Sequence, residues 1–279
     1  MQRVELYNLL TSTCEPIYGA REAEQIARMI LAELAGVSLT HLILEPSAEC
    51  HIENLDTIID ELSAGRPVQY IIGEADFCSF RFAVREGVLI PRPETEELVF
   101  RIVEECEPNP RILDVGCGSG AISVSLAKLI EGSEVWAVDV STEALAIARE
   151  NNLRLGADVN FLAADALVGV EEYVDGEFDI VVSNPPYIPQ SEECDMRTNV
   201  TSFEPHIALF VEDDNPLVFY KAIAKSALKL LKREGLLYFE IHESLWSEVV
   251  DMLRELGYIG VTMIRDINDK PRIICAEKG

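Results

Sequence analysis

The sequence has little of what disulfide-bonded and metal-binding proteins need. Its 279 residues include seven cysteines, an odd number, and none of them forms a Cys-x-x-Cys pair. The four histidines are equally scattered and do not stand at ligand spacing from a cysteine. We therefore expect free thiols in a reducing compartment and no metal site.

Long apolar runs are missing as well. No stretch approaches the roughly 18 uninterrupted apolar residues that a membrane span needs. Residues 1–5 lack the basic start and apolar segment of a secretory signal. Hydrophobic residues still make up 48% of the chain, which is enough to bury a core. The length allows one large domain or a full domain with a smaller one, and we expect the protein to be soluble and cytoplasmic.

Basic residues are scarce. Lys and Arg total 23 against 49 Asp and Glu, for a net charge of −26. Such a field repels phosphate, whereas proteins that hold nucleic acid gain affinity by neutralising its backbone. The composition therefore argues against direct nucleic-acid binding, and we interpret the charge mainly as a source of solubility.

Apolar periodicity divides the chain into a helical part and an α/β part. Three- and four-residue spacing predicts a helix that stops at Gly36 and another over residues 54–62. Alternation over residues 80–84, followed by the apolar run 88–90, indicates a β-hairpin and linker, and a helix follows at 94–105.

After Pro110, apolar strands alternate with helices, the pattern of a doubly wound α/β sheet. The predicted strands are 112–115, 135–138, 159–162, 180–182, 236–241, 259–264 and 272–276, and the predicted helices are 121–129, 142–152, 216–231 and 245–256.

A glycine-rich loop follows the first of these strands. It consists of Gly116, Cys117, Gly118, Ser119 and Gly120 and leads into an apolar helix. Alternate glycines permit a sharp turn and a close approach of the backbone to a ligand at the helix start. NAD-binding folds share this feature, so the loop predicts a nucleotide-like cofactor without choosing one.

Acidic residues at the strand ends favour S-adenosylmethionine over a dinucleotide as the cofactor. Asp114 ends the first strand, where a carboxylate can face the ammonium of a methionine moiety but would repel a pyrophosphate. Asp139 ends the next strand and can accept hydrogen bonds from both ribose hydroxyls. Asp165 and Ala166 follow the third strand; Asp165 either borders the adenine or caps a helix.

The tetrad Asn184, Pro185, Pro186 and Tyr187 follows a buried strand at the edge where such folds bind ligands. A nitrogen conjugated to a carbonyl or a ring is a poor nucleophile because its lone pair is delocalised. The Asn184 side-chain carbonyl and the Pro185 backbone carbonyl can each accept one of its N–H groups. The prolines fix the local φ angles, and Tyr187 can lie against the flat target group.

A simple turn after a strand would explain the same four residue types. The glycine loop on a preceding strand favours the catalytic interpretation instead. We therefore predict that Asn184, Pro185 and Tyr187 are catalytic and that all four residues of the tetrad bind the substrate.

The sequence resembles the PrmC/HemK family, whose members methylate the glutamine of the Gly-Gly-Gln motif in peptide chain release factors. Besides the tetrad, residues 69–73, 88–96, 114–122 and 203–209 carry the resemblance, and the Ile-Pro-Arg-Pro-Glu-Thr-Glu run at 90–96 is its most specific part. The family's reaction uses S-adenosylmethionine and leaves S-adenosylhomocysteine.

The resemblance implies a helical domain over residues 1–75 that docks the release factor, a β-hairpin linker over 76–92, and a seven-stranded class I (Rossmann-like) methyltransferase domain over 93–279. It also implies that the glycine loop, Asp139 and Asn184 contact the cofactor and that the tetrad binds the glutamine amide. We expect a monomer.

The chain departs from the family pattern at a few positions. Ala166 stands where the family commonly has an aromatic residue, so the wall of the adenine pocket must be built differently. Residues 240–243 lack the usual glycine-containing turn, and residues 269–272 replace a Gly-Arg-Asp-Arg stretch. Arg92 and Glu94 fit a rigid linker and helix start, but the resemblance favours a role in shaping the cleft.

Two other functions share some of these features. An adenine-amino methyltransferase acting on RNA or DNA would use the same tetrad, but it would need a basic groove. No Lys/Arg cluster in the sequence predicts such a groove. A noncatalytic S-adenosylmethionine-binding module could hold a partner through the helical domain. The intact tetrad argues against that alternative.

Overall fold

The computed structural model describes residues 1–279, which fall into two compact units. Unit 1 contains Met1–Glu74 and Arg197–Phe203, and unit 2 contains Ala75–Met196 and Glu204–Gly279. None of the helices is both long and apolar enough to cross a lipid bilayer.

The helices, in chain order, are α1 (Arg3–Tyr18), α2 (Ala20–Ala35), α3 (Leu39–Leu44), α4 (Leu55–Ser63), α5 (Val68–Ile72), α6 (Pro93–Glu105), α7 (Ala121–Leu129), α8 (Thr142–Leu155), α9 (Thr198–Thr201), α10 (Val218–Leu230) and α11 (Trp246–Glu255). The strands are β1 (Glu74–Phe77), β2 (Phe80–Ala83), β3 (Arg111–Val115), β4 (Glu134–Asp139), β5 (Val159–Ala163), β6 (Phe178–Ser183), β7 (Ile188–Pro189), β8 (Phe210–Val211), β9 (Leu231–Glu240), β10 (Tyr258–Arg265) and β11 (Pro271–Lys278).

Unit 1 is helical, as its periodicity predicts. The apolar stripe of α1 (Leu6, Leu10 and Cys14) is buried in one core with the apolar stripe of α2. Gly36 ends α2 in the left-handed region at φ +65°, and its N–H donates to the carbonyl of Leu31. The predicted stop at Gly36 is confirmed.

Unit 2 is built on a seven-stranded sheet with the order β10-β11-β9-β6-β3-β4-β5. The strands β9, β6, β3, β4 and β5 are parallel, and β11 runs antiparallel to both of its neighbours. Each of the seven predicted strands corresponds to one of these, so the doubly wound α/β fold is confirmed.

The sheet is covered on both faces, which explains why its central strands are almost entirely apolar. In β3, Leu113 packs into a core shared with α10 and α11, while its neighbour Ile112 packs into a second core shared with α6, α7 and α8. Period-2 alternation thus divides each strand between two cores.

The hairpin lies earlier than the sequence indicates. β2 matches the alternation seen at residues 80–84, but its partner is the preceding strand β1, joined through Cys78 and Ser79, both at positive φ. Residues 88–90 form no strand. The backbone N–H of Ile90 donates to the Glu204 side chain instead of to a neighbouring strand. An apolar run indicates that a segment is buried, and here the buried segment is a loop and not a strand.

The chain order reverses between β3 and β6. From β3 the chain continues to β4 and β5 on one side, and then returns through β6 to β9 on the other. The connections leave the carboxyl ends of β3 and β6 in opposite directions, which opens a crevice at that point. The glycine loop follows β3 and the tetrad follows β6, so the fold brings both to one crevice.

We expect Gly120→Ala to destabilise the protein more than Gly156→Ala does. Both glycines lie in the left-handed region, at φ +79° and +62°. A Cβ at Gly120 would stand 3.1 Å from the Cβ of Ala148 on α8, whereas one at Gly156 meets nothing within 4 Å. The backbone strain is matched, so the extra loss, about 1–3 kcal/mol in urea unfolding, measures overpacking between α7 and α8. Equal losses would contradict this.

Candidate active site

A cavity of about 300 Å³ lies at the carboxyl edge of the parallel strands. Of the residues predicted from the sequence, eight line it: Gly116, Gly118, Asp139, Asp165, Ala166, Asn184, Pro185 and Pro186. A smaller cavity of about 60 Å³ is lined by Cys117 and Ser119 together with Arg92, Thr95 and other residues. Asn184 lines both cavities.

The glycine loop is fixed from two sides. The N–H of Gly118 donates to Asp139 at 2.8 Å, which ties the loop to the end of β4. Asn151 on α8 is fully buried; its Nδ2 donates to the carbonyls of Ser119, at 2.9 Å, and Ala83, at 3.0 Å. Sequence reasoning missed Asn151, because a lone asparagine on an apolar helix face carries no motif.

Asp114 and Gly120 line neither cavity. Gly120 packs α7 against α8. Asp114 is completely buried, its Oδ2 accepts from the N–H of Ser123 at 3.1 Å, and its Oδ1 has no hydrogen-bond partner. Burial raises the pKa of Asp114 to about 7; the charge of Asp139 adds to the rise, and hydrogen bonds from Ser123 oppose it.

Asp139 and Asp165 both hold backbone N–H groups. Asp139 Oδ1 accepts from Ser141 at 2.9 Å, and burial raises the pKa of Asp139 although hydrogen bonds oppose the rise. Asp165 Oδ1 accepts from Leu167 at 2.8 Å, so this side chain caps a turn and also lines the cavity. No helix begins at Asp165, so the helix-cap interpretation is wrong, and the contact of Asp165 with adenine stays a prediction.

The cavity has an aromatic wall that the sequence did not indicate. Phe219 on α10 lines it, although Ala166 occupies the position where an aromatic side chain was expected. The periodicity of α10 predicts a helix but does not reveal which of its side chains reaches a cavity formed by distant loops.

Tyr187, the last residue of the tetrad, does not line either cavity. Its hydroxyl donates to Glu240 Oε1 at 3.2 Å, and its ring meets the His242 ring edge-on with centroids 5.8 Å apart. Burial raises the pKa of Tyr187 far above its usual range, and the charge of Glu240 adds to the rise. The contact of Tyr187 with a target group stays a prediction.

Two buried polar residues behind the tetrad were also missed. Thr95 is 5% exposed and Glu240 is 2% exposed. The Thr95 hydroxyl donates to Glu240 Oε2 at 2.6 Å, and Asn184 Nδ2 donates to Thr95 Oγ1 at 3.4 Å. Burial raises the pKa of Glu240, while the hydrogen bond from Thr95 and the charge of Arg272 oppose the rise.

Glu204 joins two walls of the larger cavity. Its carboxylate is buried and accepts from the backbone N–H of Ile90 at 3.0 Å and from Arg92 at 2.5 Å. Residues 87–89 line the cavity on one side of this contact, and Pro205, Ile207 and Ala208 line it on the other. Arg92 thus takes part in shaping the cleft, as expected from the sequence.

The lining fits a nucleoside that carries a positive charge. No Lys or Arg lines the larger cavity, so a pyrophosphate would find no cationic partner there. Apolar side chains and the carboxylates of Asp139 and Asp165 line it instead. These suit an adenosine with an ammonium and a sulfonium better than a dinucleotide.

Family models match two parts of the chain. Residues 9–73 match the PrmC N-terminal domain, and residues 95–202 match the methyltransferase small domain. A release factor glutamine methyltransferase of Bacteroides thetaiotaomicron is 40% identical over 286 aligned residues, covering 100% of both chains. The chain belongs to this family. A release factor glutamine methyltransferase of Streptococcus pneumoniae is 38% identical and covers 95% of each chain.

Solved structures support the fold. A methyltransferase from Pyrococcus furiosus is 19% identical, with a TM-score of 0.52 over 71% of this chain and 88% of its own. The 16S rRNA N2 G1207 methyltransferase of Thermus thermophilus, in complex with AdoMet and guanosine, is 18% identical, with a TM-score of 0.55 over 74% of this chain and 50% of its own. The α/β domain therefore has the class I methyltransferase fold.

We expect Glu204→Gln to lower the free energy of unfolding by about 1–3 kcal/mol, because it weakens a charge-assisted bond to Arg92 at a buried acceptor. Glu150→Gln is the matched control, since Glu150 pairs with Arg85 at 2.8 Å with both side chains about half exposed. Glu150→Gln should lower the free energy of unfolding by less than about 1 kcal/mol. Urea unfolding measures both, and an equal loss in the control would contradict the role of burial.

Asp114 should make stability depend on pH. Its pKa rises from 3.8 to about 7 on folding, so its contribution to stability is full below 3.8 and is lost as the pH rises through about 7. Between pH 5 and pH 8 the free energy of unfolding of the wild-type protein should fall by about 2–3 kcal/mol relative to that of Asp114→Asn, measured by urea unfolding of both proteins. A constant difference between the two proteins would refute this.

Proposed function

We propose that this protein transfers a methyl group from S-adenosylmethionine to the side-chain amide nitrogen of the glutamine in the Gly-Gly-Gln motif of peptide chain release factors. The observation that carries the proposal is the position of Asn184, which lines both cavities with Pro185 beside it at the larger one. The names of the full-length relatives support the choice of substrate.

The larger cavity would hold the nucleoside of the methyl donor. Gly116 and Gly118 allow close approach of their backbone, Asp139 offers carboxylate oxygens to the ribose, and Asp165 with Ala166 borders the adenine. The smaller cavity, with Cys117 and Ser119, would hold the methionine end. Asp114 lies buried behind the loop, where its ionised form would carry a negative charge, and Gly120 lets α7 begin close to α8.

The bound donor supplies an electrophilic methyl group on a sulfonium, so no strong base is needed before the displacement. Asn184 Oδ1 and the Pro185 carbonyl each accept one N–H of the glutamine amide, which orients its lone pair for in-line attack. The N–CH₃ bond forms as the S–CH₃ bond breaks, S-adenosylhomocysteine is released, and the surplus proton on nitrogen passes to solvent. Preorganised acceptors supply most of the rate.

We further propose that residues 1–75 dock the release factor and that residues 76–92 are a linker. Residues 93–279 would catalyse the methyl transfer. The match of residues 9–73 to the PrmC N-terminal domain supports the first of these assignments. A net charge of −26 suits a protein substrate better than RNA. We place the protein in the cytoplasm, where release factors act, as a monomer.

Asn184→Ala should reduce methyl transfer to a release factor by about 10²- to 10³-fold, as expected when one preorganised hydrogen-bonding group is lost. The affinity for S-adenosylmethionine should change much less. Single-turnover rates and calorimetry measure the two, peptide mass spectrometry locates the methyl group, and Asn268→Ala, at an exposed turn, is the control. If rate and affinity fell together, Asn184 would be a binding residue and not a catalytic one.

A further inference from the structure

The side-chain amide of Asn184 has two chemically opposite ends, and the proposed reaction uses only one. Oδ1 accepts hydrogen bonds, whereas Nδ2 donates them. If the Asn184 amide were flipped by about 180°, Nδ2 would face the N–H groups of the target. The hydrogen bond from the target to Oδ1 would then be lost. Because either orientation fills the same volume, packing alone does not select the productive one. A directional contact has to do so.

Asn184 begins a line of hydrogen bonds that passes through Thr95, which lines the smaller cavity, and reaches Glu240, which lines neither cavity. Its Nδ2 lies 3.4 Å from Thr95 Oγ1, and Thr95 Oγ1 lies 2.6 Å from Glu240 Oε2. The other oxygen of Glu240 accepts from the hydroxyl of Tyr187 at 3.2 Å. Thr95 and Glu240 are almost fully buried, so bulk solvent has little access to these bonds.

The Glu240 carboxylate determines which atom donates in the hydrogen bonds from Thr95 and Asn184. An ionised Glu240 can only accept, so the single hydroxyl proton of Thr95 must point to it. The oxygen of Thr95 is then left as an acceptor, and Asn184 must meet it with Nδ2. Burial raises the pKa of Glu240, and the charge of Arg272, whose Nε donates to buried Asp266 at 3.1 Å, opposes that rise.

We propose that Thr95 and Glu240 are positioning residues that hold the Asn184 amide with Oδ1 toward the target nitrogen. The proposal rests on the function proposed above, in which Asn184 Oδ1 accepts from the glutamine amide. Thr95 comes from the first turn of α6, Glu240 from the end of β9, and Asn184 from the loop after β6. Glu240 lines neither cavity, and Thr95 acts on the target amide only through Asn184.

Thr95→Val removes the directional group with little change in volume. Single-turnover transfer to the release factor should slow by about 10- to 100-fold, because a misplaced catalytic group costs rate before it costs binding. Calorimetric affinity for S-adenosylmethionine should stay within about threefold. Thr95→Ser keeps the hydroxyl and should recover most of the rate. Thr262→Val, which deletes an exposed hydroxyl bonded to the Gly260 carbonyl, is the control.

A double-mutant cycle tells positioning from general damage. If Thr95 acts through Asn184, Thr95→Val should cost almost nothing once Asn184→Ala is present, since no amide remains to orient. If the two losses multiply, Thr95 acts independently of Asn184, and the proposal is overturned.

A measurement without substrate separates this proposal from the proposed function. The side-chain NH₂ resonances of Asn184 are identified in ¹H–¹⁵N spectra as the pair absent from Asn184→Ala. They should shift and exchange faster with water in Thr95→Val, but not in Thr95→Ser or Thr262→Val. Unchanged resonances in Thr95→Val would overturn the proposal. Wild-type protein that leaves the release-factor glutamine unmethylated would refute the proposed function, and the resonances would still decide the orientation of Asn184.

Discussion

A buried carboxyl group that accepts two side-chain hydrogen bonds stands behind the candidate active site. Glu240 receives the hydroxyls of Thr95 and Tyr187, and through Thr95 it determines which end of the Asn184 amide faces the protein interior. These residues come from different parts of the chain, and the parallel sheet brings them together. Because β6 and β9 are adjacent and parallel, the tetrad after β6 lies beside the end of β9. The doubly wound topology therefore provides the catalytic arrangement as well as the crevice.

The cavity walls depend on a second buried carboxylate. Glu204 holds the segment around Ile90 and Arg92 against the segment that begins at Pro205, and both segments line the larger cavity. The glycine loop is held in turn by Asp139 and Asn151. The site thus consists of loops that polar side chains fix from behind, which leaves the apolar cavity surface free for a nucleoside. Such support is what preorganised catalysis requires.

Much of this could be predicted from the sequence because its signals are local. Strand periodicity located all seven strands of the sheet, and apolar spacing predicted α7 with the bounds found in the structure. The glycine loop and the tetrad are contiguous motifs, and the fold brings them to one crevice. The hairpin was misplaced because an apolar run reports burial without saying whether a strand or a loop is buried. The pairing of Thr95 with Glu240, 145 residues apart, leaves no local pattern. The same holds for Phe219, the aromatic residue that lines the larger cavity from α10.

The most direct test of this account is a competition between substrates for one enzyme. The protein is incubated with S-adenosylmethionine and equimolar amounts of a release factor and a structured RNA, and peptide and nucleoside mass spectrometry then locate every added methyl group. We expect one methyl group on the Gly-Gly-Gln glutamine and none on the RNA. Methyl groups on adenine, with the glutamine unmodified, would contradict it, while leaving the cofactor site and the tetrad as the chemistry of an adenine-amino methyltransferase.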